Sequence, residues 1–377
     1  MKLAFVGDVY LSGKGGGFGG PDTRHDIFAA LQAKVGPSTF LVGNVESALT
    51  DREDANPYKW ASLCSDPAVA QRLKALAVGC IANNHAGDAG WQGLRDTMLH
   101  LQEAGIQPVG CGSNIDEALA PCILSQDGTR VALVALCCLT TNGECVATYT
   151  QPGVAPVSVD NLRMAVARGR LEAETVIVLV HWGCEQTHYP VPDQIRLGRI
   201  AIDAGAAAVI GCHAHVIQTF EEYHGGWIFH GLGNFFFDPV RARAVSGRKA
   251  VAEFDIDHKD PRNRESLVPT FEVRRNQLKL TDLILTRWEN DGRIAVGGLK
   301  DATVDLNAAN AYLRRWARFR WSKLQSEGEI GFRCILRNGT VKYDYDGTPI
   351  RREWRSRELG ARVYRRANRL LAEAFRG

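Results

Sequence analysis

With 377 residues, 45% of them apolar, the chain is long enough to bury a large core, and 45 Lys/Arg against 42 Asp/Glu leave a formal charge of only +3. No stretch resembles a signal peptide or an apolar span of about 20 residues, so a soluble, cytoplasmic chain with no transmembrane segment is expected. Ten cysteines lie scattered, several of them inside apolar runs, and no Cys-x-x-Cys occurs; this argues against a disulfide scaffold, a zinc ribbon or a redox motif and fits a reducing compartment.

In chain order, Leu3 to Val6 reads as a strand that ends in Gly7-Asp8. Gly13 to Gly20 contains a formal Gly-x-Gly-x-x-Gly, but it is separated from its strand and runs into Pro21-Asp22, so a flexible rim is expected rather than a dinucleotide site. Thr39 to Val42 leads into Asn44-Val45-Glu46, and Leu76 to Ala82 into Asn83-Asn84-His85. Ala120 to Leu124 and Arg130 to Leu136 flank Gln126-Asp127-Gly128, a hairpin signal. Val159 to Glu174 and Asp193 to Ala204 carry helical patterns. Between and after them, Thr175 to Val180 ends in His181-Trp182-Gly183, and Ala206 to Ile210 precedes His213-Ala214-His215. Lys249 to Ile256, Gln277 to Thr286 and Arg293 to Gly297 read as strands of a second sheet, with Asp257 to Glu265 as a surface loop.

Strands alternating with helices make an α/β sheet, and such sheets bind ligands beyond the carboxyl ends of their strands. Five of the runs end there in carboxylate, amide or imidazole. One histidine beside a strand is more often a packing residue, but five such pieces read together as a metal site. The set lacks thiolate, which suits a catalytic divalent ion such as manganese, iron or zinc better than a structural zinc knuckle.

The sequence resembles the CapA family. The resemblance rests on Asp8, on Asn44-x-Glu46, on Asn83-Asn84-His85-x-x-Asp88-x-Gly90 and on His181-Trp182-Gly183-x-Glu185. It continues through His213-x-His215-Val216-x-Gln218 and Leu232-Gly233-Asn234-Phe235-x-Phe237-Asp238. That family serves capsule and poly-gamma-glutamate synthesis and looks like a branch of the calcineurin-like metallophosphoesterases. The resemblance implies a four-layer αββα sandwich and two divalent ions. Glu46 would bridge them, Asn84, His181 and His213 would complete one site, and Asp8 with His215 would make the other. His85 would protonate the leaving oxygen, with Asp88 orienting its imidazole.

Departures from the superfamily pattern matter. Asp8-Val9-Tyr10 puts a phenol where a second imidazole is usual, leaving one metal a ligand short, and Glu46 stands where an aspartate is common. Cys212 reads either as a buried spectator or as an adventitious thiolate ligand. Asn44, Asn83, Glu185 and Asn234 are candidates for supporting the ligands or contacting substrate; a solvated loop charge at Glu185 and a turn role for Asn234 are the bland alternatives.

Residues 1–300 are expected to form the CapA-like domain and 301–377 a basic, largely helical extension. Ala311 to Gly377 holds 17 Lys/Arg against 7 Asp/Glu, about +10, which leaves about −7 on the first 310 residues. This tail reads as an appendage docking on an acidic body, or as a surface for an anionic partner. The function expected is metal-dependent hydrolysis at a phosphoryl or acyl centre in capsule, poly-gamma-glutamate or exopolysaccharide synthesis. Its substrate would be an anionic polymer or a small phosphorylated or acyl compound. The alternative is a non-catalytic metal-binding accessory protein of an anionic-polymer synthase. Nucleic acid is not the expected partner.

Overall fold

Along the strands Thr129–Cys137 and Thr175–His181 every second side chain faces the same way, and the two faces feed two different cores. Leu133, Ala135, Cys137, Ile177 and Leu179 join a core shared with Leu3, Phe5, Val42 and Val78 of the other sheet. Ala132, Val134, Leu136, Val176, Val178 and Val180 meet Leu162, Ala165 and Val166 of the helix Val159–Glu172 and Leu197 and Ala201 of the helix Pro192–Asp203. A sheet buried on both faces needs nearly continuous apolar strands, which is what these runs supply. Each fully buried Leu or Phe contributes about 1.5–3 kcal/mol.

The computed structural model describes residues 1–13, 26–52, 59, 61–141, 145–246, 249–256, 260–274, 277–306, 310, 333–335 and 342–344. The first sheet runs Ile294–Gly298, Gln277–Trp288, Glu265–Arg274, Lys2–Tyr10, Thr39–Val45, Leu76–Cys80 and Gln107–Val109, with Asn234–Phe237 beside the far half of Lys2–Tyr10. The second runs Phe220–Tyr223, Gly226–Phe229, Ala208–Cys212, Thr175–His181, Thr129–Cys137 and Cys122–Gln126. The helices Ala29–Val35 and Gly90–Glu103 cover the first sheet through Leu31, Leu94 and Leu101, which completes the αββα sandwich.

The expected hairpin is present, with Gln126 paired to Thr129 and both turn residues left-handed, Asp127 at φ 50° and Gly128 at φ 75°. The later strands correct the expectation. Gln277–Trp288 and Ile294–Gly298 extend the first sheet, not the second, and Lys249–Ile256 pairs only with Val240–Ser246 in a separate hairpin. Strand content alone cannot assign a sheet, because pairing partners are distant in sequence. The segment 257–265 is not simply a surface loop either: Asn263 and Glu265 are buried, and Glu265 opens the strand Glu265–Arg274. The chain stays packed on the body as far as Leu306, in the core, and Asn310, whose Oδ1 accepts from Phe220 N at 2.9 Å. Nearly all of the basic tail, and Lys14 to Gly20 of the glycine run, lie outside the described residues. Within the tail the short strands Arg333–Ile335 and Lys342–Asp344 pair antiparallel.

Candidate metal centre

Parallel pairing sets the site. Asp8 lies opposite Asn44 and also opposite Asn234, while His181 lies opposite Cys212, so the carboxyl ends of both sheets present their polar residues at one rim. Gly7 has a physical reason: a Cβ there would come within 1.9 Å of Gly233 O, and that close approach lets Asp8 N donate to the same carbonyl at 2.9 Å. His213 and His215 both hold left-handed backbone, φ 98° and 55°, which costs a non-glycine residue about 1–3 kcal/mol each. Strain of this kind persists where the surrounding structure fixes a functional geometry.

Four atoms with lone pairs converge inside the rim. His181 Nε2 lies 2.7 Å from Asn84 Oδ1, 3.0 Å from His213 Nδ1 and 3.6 Å from Glu46 Oε1. On the other side of Glu46, Oε1 is 3.7 Å from His215 Nε2, and His215 Nδ1 is 3.5 Å from Asp8 Oδ2. Glu46, His181 and His213 form one group able to hold a metal ion, Asp8, Glu46 and His215 a second, and Glu185, His213 and His215 a third. Glu46 belongs to two of them.

Neighbouring side chains fix these groups in place. Asn44 Nδ2 donates to Asp8 Oδ1 at 2.8 Å and to Glu46 Oε2 at 3.3 Å, while Asn83 Nδ2 donates to Asn44 Oδ1 at 3.3 Å and Val45 O at 2.8 Å. Asn234 does more than shape a turn. Its Oδ1 lies 3.0 Å from His215 Nδ1 and its Nδ2 donates to Asn263 O at 2.9 Å, so the His215 ring presents Nε2 to Glu46. His85 Nδ1 pairs with Asp88 Oδ2 at 2.7 Å, and its Nε2 points at Glu46 Oε1 from 3.9 Å.

The electrostatics suit a cation. Burial first, then the other imidazoles and Lys59, hold His181 and His213 well below the usual histidine range, so both stay neutral with a lone pair to offer. Burial, followed by Asp8 and Glu185, pushes the Glu46 carboxyl well up. Its Oε1 is fully buried and has no hydrogen-bond partner. An orphaned carboxylate oxygen ringed by three imidazole nitrogens at 3.6–3.9 Å is the environment that a bound divalent ion would satisfy, and the residues present therefore fit one.

The sequence matches the profile of the family described as bacterial capsule synthesis protein PGA_cap over residues 2–239. The chain belongs to that family. Within it the chain is similar to the capsule biosynthesis protein CapA of Bacillus anthracis, 31% identical over 221 residues, 56% of this chain and 54% of that protein. It is 29% identical to the PGA biosynthesis protein CapA of Bacillus subtilis over 63% of each chain. A Mycobacterium tuberculosis protein described as a "probable polyglutamine synthesis accessory protein" is 29% identical over 43% of this chain and 45% of its own length. The chain thus spans about half to under two thirds of the length of the curated relatives it matches. Among solved structures it is similar to Haemophilus influenzae NAD nucleotidase, at 13% identity and a TM-score of 0.43, covering 86% of this chain and 61% of that one. A hypothetical protein from Thermus thermophilus has the same TM-score at 12% identity, covering 76% of this chain and 98% of that one.

Within this PGA_cap chain the surroundings of Tyr10 and Cys212 account for both residues. Tyr10 is buried in an apolar cluster with Ala61, Leu63, Phe237 and Val240, its ring 5.2 Å from that of Phe237. Phe237 in turn packs edge-on against His215 at 4.8 Å, so Tyr10 backs the wall behind that ring. Cys212 is buried, and burial with the Asp8 and Glu46 carboxylates pushes its thiol far up, which keeps it neutral in the metal-free protein. Cys80, Cys111, Cys122, Cys137, Cys145 and Cys212 are free thiols. Among the described residues no helix is long and apolar enough to cross a membrane.

Sequence reasoning missed Lys59 and Asn263. Lys59 is buried; its Nζ pairs with Asp88 Oδ1 at 2.5 Å, donates to Asn84 O at 2.7 Å and lies 3.4 Å from His85 Nδ1. Nothing in a lone lysine between Tyr58 and Trp60 distinguishes it from a solvated one. Asn263 donates to His215 O at 3.1 Å and to Gln186 Oε1 at 2.9 Å, and the charged residues around it disguise it.

Proposed function

We propose that this chain is a metal-dependent hydrolase acting at a phosphoryl or acyl centre in the synthesis of capsule, poly-gamma-glutamate or a related anionic polymer. One observation carries the reading: the partnerless, fully buried Glu46 Oε1 at the meeting point of two ligand groups. Asn84, His181, His213 and Glu46 would hold one ion, and Asp8, His215 and Glu46 a second; manganese, iron and zinc all suit such a nitrogen and oxygen set. When bound, a pair of divalent ions supplies a nucleophile at neutral pH and neutralises charge at the reacting centre.

The chain's own residues do the rest. Asn44 and Asn83 hold the Asp8 and Glu46 carboxylates apart from solvent, and Asn234 keeps the His215 ring turned inward. His85 turns Nε2 toward the centre while Nδ1 pairs with Asp88 Oδ2, so the doubly protonated ring can pass a proton from Nε2 to a leaving oxygen. Burial and Lys59 hold His85 down to about 4, against the pull of Asp88, so the resting ring is neutral at pH 7 and must gain its second proton before it acts as an acid. The substrate class comes from the CapA relatives, whose names place them in capsule and PGA synthesis. The free thiols support a reducing, cytoplasmic setting.

A second reading has its own observation. Tyr10 is packed away from the rim, which leaves Asp8, Glu46 and His215 as a three-residue group, and a metal-binding accessory protein of a polymer synthase needs no more. Elemental analysis of protein purified without added metal, with assays of wild type and His85→Asn on an aryl phosphate, an aryl phosphodiester and a γ-glutamyl ester, separates the two. The hydrolase reading expects bound metal in both proteins and a loss of about 10²–10⁴-fold in turnover for the variant. Metal with no turnover on any substrate favours the accessory reading, and metal-free protein defeats both.

A further inference from the structure

A neutral imidazole that binds an ion through one nitrogen carries its proton on the other, and the group facing that second nitrogen decides how firmly the ring is held. In His213 the inner nitrogen, Nδ1, lies 3.0 Å from His181 Nε2 inside the ligand group. The outer one, Nε2, faces Glu185 Oε1 at 4.0 Å. Among the described residues nothing else pairs with this carboxylate, which is 40% exposed and so sits at the lip of the centre.

The loop that carries Glu185 is tied to the segment that carries His213. Gln186 N donates to Ala214 O at 2.8 Å, His188 Nδ1 lies 2.7 Å from Ile217 O, and Gln218 Nε2 donates to Thr187 O at 2.8 Å. On either side of Glu185 the backbone is left-handed, Gly183 at φ 95° and Gln186 at φ 60°. Gly183 also has no room for a side chain, since a Cβ would meet the Gln194 amide at 2.5 Å. Gln186 has no such exemption and accepts about 1–3 kcal/mol of strain to make its bond to Ala214. A loop held in this way moves with His213 and delivers its carboxylate to that ring.

We propose that Glu185 is a positioning residue for His213: its carboxylate accepts the Nε2 proton, fixing the tautomer that leaves Nδ1 free for the ion. Rotation about the broad terminal torsions of the half-exposed glutamate closes the present 4.0 Å gap at little cost. Direct ligation by Glu185 with His213 and His215 would need the Nε2 lone pair of His213. The one lone pair of a neutral imidazole would then be lost to the Glu46 group. The inference rests on the reading that His213 holds an ion.

The test is calorimetric titration of the full chain with Mn(II) for wild type, E185A and E185Q, with nitrogen NMR of histidine-labelled, metal-free protein. E185A is expected to bind about 10–100-fold more weakly and to lose the pure Nε2–H signature of His213. E185Q keeps an acceptor oxygen without the charge and should fall between. Affinity of E185A within about threefold of wild type, with the tautomer unchanged, overturns the proposal alone. So does an equal loss in both variants with the tautomer intact, which would make Glu185 a ligand. A wild type that binds no metal overturns the metal-centre reading and this inference with it.

Discussion

Replacing Glu46 by glutamine should make the metal-free protein more stable and its response to metal weaker. Without an ion, Glu46 is a wholly buried carboxyl whose Oε1 has no partner and whose neighbours Asp8 and Glu185 are both acidic. Leaving such an atom unsatisfied costs roughly 1–3 kcal/mol. An amide of the same shape removes the charge repulsion and can still accept from Asn44 Nδ2, now 3.3 Å from Oε2. For a folded body of about 300 residues, 1 kcal/mol corresponds to about 2 °C, so the apo variant should melt about 2–6 °C above wild type. Ligand binding stabilises by RT ln(1 + [L]/Kd): at a thousandfold excess over its Kd the wild type gains about 4.1 kcal/mol. A variant binding about 100-fold more weakly gains only about 1.4 kcal/mol at the same concentration, a shift smaller by about 5 °C. Thermal melts with chelator and with graded Mn(II) measure both effects. An apo variant less stable than wild type, or an undiminished metal-induced shift, would refute the argument that Oε1 is an orphan awaiting a cation.

Three further outcomes follow from the same site. Lys59→Met should cost about 3–5 kcal/mol in urea unfolding, because Asp88 would be left buried with its cation removed; a loss under about 1 kcal/mol would show that His85 and Leu63 N suffice to satisfy it. Asn234→Leu should weaken Mn(II) binding about 10–100-fold by freeing the His215 ring, and unchanged affinity by titration would remove Asn234 from the support of that ligand. Acid should destabilise the metal-free protein. Burial holds His85, His181, His188, His213 and His230 below their unfolded value near 6.5, so from about pH 6.5 downward the unfolded chain takes up protons that the folded one refuses. For His85 itself that window closes at about 4. The raised Glu46 works in the opposite direction, its contribution being lost as pH rises through its folded value, but it is one group against five. Urea midpoints at pH 7, 6 and 5 should fall in that order, and equal midpoints would contradict the shifts.

The strands that end in candidate ligands were legible because each is short, apolar on both faces and followed at once by its polar residues. That pattern survives in sequence because it is local. Glu265–Arg274 went unseen for a local reason too: Pro269 and the acidic ends Glu265 and Glu272 argue against a central strand, yet it lies between Lys2–Tyr10 and Gln277–Trp288, with Pro269 opposite Leu283. Which sheet a late strand joins, and that a lysine in a polar stretch turns inward to Asp88, are decided by contacts across the chain. Lys59 and Asp88 are 29 positions apart, and Asn263 and His215 are 48. Residue type and period carry no record of such distances.

The family's signature and the unit that makes the site work have different extents. The match ends at residue 239, and every candidate ligand precedes it. Yet Lys2 to Ala4 pair antiparallel with Thr270 to Glu272, Gly7 N donates to Ser266 Oγ, and Asn263 holds both Asn234 and His215. A chain cut at Pro239 would carry a complete inventory of coordinating groups on a first strand stripped of its neighbour. Grafting or mining this family by its signature alone would therefore recover the chemistry without the chassis, and homologues should be compared at Asn263 and Ser266 as closely as at the histidines.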